Sequence, residues 1–393
     1  MPNRITLEYF LKKIYMKKIM LAFLLLSVSF VHAQNPIYYL LVGTYTTAPS
    51  KSDGIYVYKF NPNRNEATQI SSVKTSNPSF LAISKDQKYV YAVNEDHGES
   101  TPGSVSAFSL DKKKGVLTFL DKQPSGGDDP CYVAIDSSGK NVVVANYNGG
   151  NLSVLKTAAD GSLLPAAQTI AHDGYGVNVK RQEMPHVHST VFSPDQKYLF
   201  VANLGNDRLY RYSFNPTEAT TPLVALDPPY YEIPDGSGPR HIVFSPDKKY
   251  AYLINEMSGN IIAYSYNATN GTLTSIQTIA SDETKGKEDK GSSEIDITPN
   301  GKFLYSSNRV TSNDIAMFKI NSDGTLVPTG HQATGIHPRH FMIDPTGHFL
   351  LVANRDSNNI QIFVINKNYG LLEDTHVTIE VPSPVCLKMV PVN

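Results

Sequence analysis

Tryptophan is absent from this 393-residue chain, and only two cysteines occur, Cys131 and Cys386. Neither has a near partner in sequence, which excludes a disulfide scaffold and a cysteine-based zinc site. An excess of one charge is missing too: 35 basic residues face 36 acidic ones, and no Lys/Arg run in the body of the chain is longer than Lys112-Lys113-Lys114. No phosphate-backbone footprint is present, so no nucleic-acid partner is expected. No Gly-rich phosphate loop leads from a strand into a helix, and no Gly-x-Ser-x-Gly elbow appears. What is present is 40% hydrophobic content with 18% charge, too apolar and too neutral for a disordered chain. Glycine (26) and proline (25) are numerous, and the aromatic residues are all Tyr and Phe. That mixture leans towards an all-β protein rich in turns.

The N-terminus carries its own signal. Met16-Lys17-Lys18 precedes an apolar stretch over 19–31, and Val31-His32-Ala33 follows with small residues at −3 and −1. A basic start, a short apolar core and such an ending predict a secretory signal peptide over residues 1–33, with Met16 an alternative start. Thirteen residues fall short of the roughly 20 needed to span a bilayer, so no membrane partner is expected after cleavage. No cysteine follows the cut, which argues against a lipoprotein anchor. The expected mature chain, 34–393, carries 30 basic and 35 acidic groups and works in the periplasm or outside the cell.

A repeat fixes the expected architecture. NPSFLAISKDQKYVYAVNE (77–95) matches GPRHIVFSPDKKYAYLINE (238–256), and further copies open at 129, 186, 292 and 337. Each has a short alternating strand, a turn of the Ser-Pro-Asp-x-Lys kind and an apolar strand ending in Asn, which reads as a hairpin. Third strands follow, such as 104–110, 260–266 and 359–365, and more polar fourth strands, such as 116–122 and 272–279. Four antiparallel strands recurring every 46 to 57 residues predict the blades of a β-propeller. Six copies are explicit. The seventh is split, with 38–45 and 54–60 at one end of the chain and 385–390 at the other. One seven-bladed domain is expected, its ring closed by pairing the N- and C-terminal segments so that no sheet edge stays free.

The copies also serve as an internal comparison. Five residues before the turn they carry Ser79, Cys131, His188, Arg240, Ser293 and Arg339. After the strand-ending Asn they carry Glu95, Tyr147, Leu204, Glu256, Arg309 and Arg355. These positions straddle the turn evenly and are expected on one face of the propeller, near the central channel. Four of the nine arginines fall on them, and none of the 26 lysines does. Guanidinium forks match carboxylate or phosphate oxygens, so the ring points to a small anionic ligand. A purely structural role, in ion pairs that hold blades together, is the alternative. Alternation along the strand turns His241 and His340 away from this ring, whereas His186 shares the parity of His188. No metal is expected beside so many arginines, and no cofactor. Loops over 96–103, 172–184 and 281–291 leave from the same face, the last reading as a solvated, charged loop. Nothing fixes an oligomeric state; a monomer is the default.

GPRHIVFSPDKKYAYLINE (238–256), ANYNGGNLSVL (145–155) and the Asn308-Arg309 strand end resemble the seven-bladed propeller lactonases. That family includes propeller-type 6-phosphogluconolactonases and fungal carboxy-cis,cis-muconate cyclases. The resemblance spans residues 37–393. By motif it implies His188, Arg240, Arg309 and Glu256 as catalytic residues, the four that the ring comparison selects. It implies a metal-independent lactone hydrolase of carbohydrate metabolism, with a small lactone as substrate and a hydroxy acid as product. Glu256 is then expected as general base, His188 as general acid, and Arg240 and Arg309 at the oxyanion. Arg339, Arg355, His186, Tyr147 and Glu95 are expected to contact substrate. A muconate-type cycloisomerase and a non-catalytic binding or scaffold propeller are the alternatives. A phosphorylated sugar lactone is a cytoplasmic compound, so the export signal makes lactone chemistry a firmer expectation than any one lactone.

Overall fold

The computed structural model describes residues 8–16, 36–100, 102–285 and 289–392. Residues 8–16 are helical and belong to a unit of their own, and the second unit runs from Pro36 to Asn393. The apolar stretch and cleavage site of the expected signal peptide lie outside the described residues. No helix among the described residues is long and apolar enough to cross a membrane.

The second unit contains seven four-stranded antiparallel sheets. Blade 1 is the split one. Its inner strand is Pro384–Pro391, hydrogen-bonded to Tyr38–Thr44, with Gly54–Asn61 and Glu66–Lys74 outside. Blades 2 to 7 follow in chain order, with inner strands Leu81–Ile83, Pro130–Ile135, Val187–Phe192, Pro239–Phe244, Ser292–Ile297 and Pro338–Ile343. Burial explains the composition of each strand. Second strands such as Asn141–Asn146 and Phe349–Asn354 are buried throughout, since neighbouring blades cover both faces, whereas outer strands such as Glu66–Lys74 are largely exposed. The core is accordingly a set of inter-blade layers. Phe200 and Leu253 pack between blades 4 and 5, and Tyr38 and Leu351 between blades 7 and 1.

The expected turns are present, with one refinement. The Ser245 hydroxyl donates to Asp247 and accepts from the backbone N–H of Tyr250. The left-handed residue follows the Asp as Gln87, Gln196 or Lys248 in three of the copies, and is Gly139, Gly301 or Gly347, after Ser138, Asn300 or Thr346, in the other three. Neighbouring blades are also stitched together. The Tyr91, Tyr252 and Tyr305 hydroxyls donate to the carbonyls of Gly161, Gly324 and Gly370, each in an outer turn of the next blade.

Alternation fails at one recurring point. The inner strand slips by one residue against its partner between Pro130 and Tyr132, Val187 and Ser189, Pro239 and His241, and Pro338 and His340. The residue in each bulge is Cys131, His188, Arg240 or Arg339. An extra residue breaks the two-residue period and re-aims the side chains beside it. His241 and His340 accordingly face the channel in a layer of their own, off the ring as alternation implied, and both are buried. His241 makes ring contacts with Phe80, Tyr132 and His188, from blades 2, 3 and 4. Its Nδ1 lies 2.9 Å from Glu294 Oε1 on blade 6, and His340 Nε2 lies 3.3 Å from Glu294 Oε2. Only the central channel brings five blades together in this way. The bulge thus gives the channel two tiers, with Phe80 stacked on Tyr132 at 4.2 Å in the lower one.

Candidate active site

Glu256 is the centre of the upper tier. It follows the second strand of blade 5 and is 5% exposed. Its Oε2 accepts from Arg240 Nε at 3.0 Å and from Arg309 Nη2 at 2.6 Å, and its Oε1 accepts from Arg181 Nη2 at 2.7 Å. His188 Nε2 stands 3.8 Å from Oε2, beyond direct hydrogen-bond reach. The four residues singled out in the sequence, His188, Arg240, Glu256 and Arg309, are therefore brought together from three adjacent blades.

Each arginine has a second anchor. Arg240 Nη1 donates to the Ser293 carbonyl at 2.6 Å, and Arg309 Nε to the Gly291 carbonyl at 3.1 Å. Glu95, Tyr45 and Arg339 form an adjoining group: the Tyr45 hydroxyl donates to Glu95 at 2.9 Å, Arg339 Nη2 is 3.8 Å from the other Glu95 oxygen, and its guanidinium lies over the Tyr45 ring. Tyr147 presents its ring to the edge of His188, with centroids 5.5 Å apart.

Two expected contacts lie elsewhere. His186 stacks behind Tyr147 at 4.4 Å and faces the Tyr147 carbonyl and Glu183, so it supports Tyr147 and has no contact with the Glu256 cluster. Arg355 turns to its own neighbour Asp356 at 2.6 Å, at the rim.

The blade comparison missed two residues, Arg181 in the cluster and His337 beside Asp356 at the rim. Arg181 belongs to the 172–184 strap, outside the repeat. Gln182 ties that strap down by donating to the Leu204 carbonyl at 2.8 Å and accepting from the Asn178 N–H. Arg181 also pairs with Asp289 and bonds to the Tyr147 phenol. The 281–291 loop, expected as solvated, is thus held to the site at Asp289. The other is His337, which has φ 61° two residues before Arg339. Asn77, Asp129, Gly238 and Gly291 hold that position in other blades, also left-handed. A bulky ring costs more there, and this departure from the repeat was its only sequence signal.

Electrostatics divide the cluster. Burial raises the Glu256 carboxyl, but the guanidiniums of Arg309, Arg240 and Arg181 together hold it well below the ordinary carboxylate range. Burial, helped by Arg240 and the neighbouring His241, holds His188 well below the usual imidazole value. At neutral pH Glu256 is a pinned anion and His188 a neutral ring. Beneath them, burial lowers His241 to about 4 although Glu294 opposes the shift. Among the described residues no group of three or more His, Cys, Asp or Glu side chains has the arrangement of a metal site.

Comparison with known proteins agrees with this fold. The family model described as lactonase, 7-bladed beta-propeller matches residues 39–389. A 6-phosphogluconolactonase of Bacillus subtilis is 35% identical, covering 88% of this chain and 97% of its own. One from Formosa agariphila is 38% identical over 85% of this chain and 94% of its own. The solved structure of a periplasmic gluconolactonase from Pseudomonas aeruginosa superposes with a TM-score of 0.86 at 34% identity, covering 91% of this chain and all of that one. A buried Glu–Arg–His cluster at the channel of a seven-bladed ring, with family and relatives matched over nearly the whole propeller, makes this chain a member of the seven-bladed β-propeller lactonase family.

Proposed function

We propose that the protein hydrolyses a sugar-type lactone to its hydroxy acid, outside the cytoplasm, with protein groups alone. The observation that carries this reading is the buried His188, 3.8 Å from a carboxylate already bound by three guanidiniums. Names of the relatives, 6-phosphogluconolactonase and gluconolactonase, support the substrate class.

The electrostatics favour exchanging the roles expected from sequence. A carboxylate pinned by arginines is a weak base, whereas a neutral imidazole accepts a proton readily. In this mechanism His188 takes a proton from water as its oxygen bonds to the lactone carbonyl carbon. The carbonyl oxygen becomes an oxyanion facing Arg309 and Arg240, which Glu256 holds in place. The tetrahedral centre then expels the ring oxygen, which recovers the proton from His188. The new carboxylic acid ionises and releases one proton to solvent.

The test is a panel of aldonolactones given to the purified 34–393 chain under pH-stat. Release of one acid equivalent per lactone consumed supports hydrolysis. Lactone formed from a muconate-type diacid identifies a cycloisomerase, and tight binding without turnover a binding propeller.

A further inference from the structure

Arg181 differs from the other cations around Glu256 in origin and exposure. Arg240 and Arg309 come from the blades and are almost wholly buried; the Arg181 side chain is carried by the strap and stays 31% exposed. It spans two carboxylates, Glu256 on the inside and Asp289 on the outside. Asp289 is itself 31% exposed, and its second oxygen is buried without a hydrogen-bond partner. Arg181, Asp289, Lys180, Val179 and Met257 line a groove of about 620 Å³.

We propose that Arg181 is a specificity-determining residue, reading in this groove a negatively charged group of the substrate remote from the lactone carbonyl, and that Asp289 holds its place until substrate arrives. The proposal rests on the lactone-hydrolase reading and assigns the part of the site that reads charge. The Arg181–Asp289 pair is partly exposed, so solvent screens it more than the buried Arg240–Glu256 and Arg309–Glu256 pairs, and a better acceptor displaces it. A phosphate or carboxylate offers that acceptor, because it can take two parallel N–H bonds from one guanidinium, and Lys180 adds a second cation in the same groove. A neutral lactone has nothing to exchange with Asp289. No blade arginine is so placed: Arg240 and Arg309 are buried against Glu256, where the mechanism puts the lactone oxyanion, and Arg339 pairs with Glu95 and lies over Tyr45.

The experiment compares a neutral aldonolactone, one with a phosphate on its far carbon and one with a carboxylate there. It uses wild type, Arg181→Met, Arg181→Lys and Asp289→Asn, and calorimetry of the corresponding open-chain acids provides a readout independent of turnover. Arg181→Met should lower the preference for charged over neutral lactone about 10- to 100-fold, mainly through KM, the scale of a lost charge-assisted bond. Arg181→Lys should keep part of the preference. Asp289→Asn should move it the other way, with KM for the charged lactone falling. The phosphate and carboxylate arms identify which anion is read. An unchanged preference in Arg181→Met, or a loss of preference in Asp289→Asn, overturns the proposal. If wild type turns over no lactone, the hydrolase reading falls, and binding of the charged acid by wild type but not by Arg181→Met still decides this one.

Discussion

At Glu256, burial favours the neutral acid and three guanidiniums favour the anion, and the guanidiniums prevail. The carboxylate then works as a fixed counter-charge, and that assigns distinct phenotypes to its neighbours. Glu256→Gln keeps the shape but frees Arg240 and Arg309 from their shared anchor. Turnover should fall, while calorimetry should find the anionic product bound as well or more tightly, because a negative charge beside it has gone. Arg309→Met should weaken binding and rate together, with kcat/KM lowered roughly 10²–10³-fold as for loss of an oxyanion donor. Steady-state kinetics that gave Arg309→Met a normal KM and kcat would separate that arginine from the reaction.

The blade is the element that positions these residues, and its seams are testable. Gly324 has φ +83°, and a Cβ there would stand 2.2 Å from the Tyr250 ring. Gly324→Ala should therefore destabilise by more than about 1 kcal/mol, read as a lower urea midpoint. Tyr252→Phe loses only the hydroxyl bond to the Gly324 carbonyl and should cost about 1 kcal/mol. The hairpins, the split blade and the ring of unlike residues were all legible in the sequence, because a repeated strand–turn–strand unit exposes any position that departs from it. Three features were not. A one-residue bulge leaves the spacing within each copy unchanged, so the channel-facing His241 and His340 looked like back-face residues. Arg181 lies on a strap that no other blade has, where a comparison among blades has no counterpart to offer. The third is the charge state of Glu256 and His188, which depends on how many cations converge, and sequence spacing does not count them.

For the whole molecule, ring closure is the main structural claim. The strand Pro384–Pro391 covers Tyr38–Thr44, which is buried along its full length. Removing residues after Ser383 should bare that strand as a free edge and produce aggregation in place of a cooperative, soluble fold. Export belongs to the same scale. If residues 1–33 are removed, mass spectrometry of the secreted protein should find Gln34, intact or cyclised, at the N-terminus; an unprocessed chain retained in the cytoplasm would contradict the proposed location.

The most direct test of the catalytic account is the pH profile of kcat/KM for the wild-type enzyme, corrected for spontaneous lactone opening. His188 must be neutral to accept a proton, and its burial beside Arg240 holds its titration well below 6.5. Activity should therefore be level through neutral pH and fall only on the acid side, as His188 becomes protonated. His188→Gln should remove that acid limb and lower the rate roughly 10²–10⁴-fold. A profile that rises as pH drops below 7, and declines on the alkaline side as an imidazolium is lost, would make His188 the acid and contradict the account.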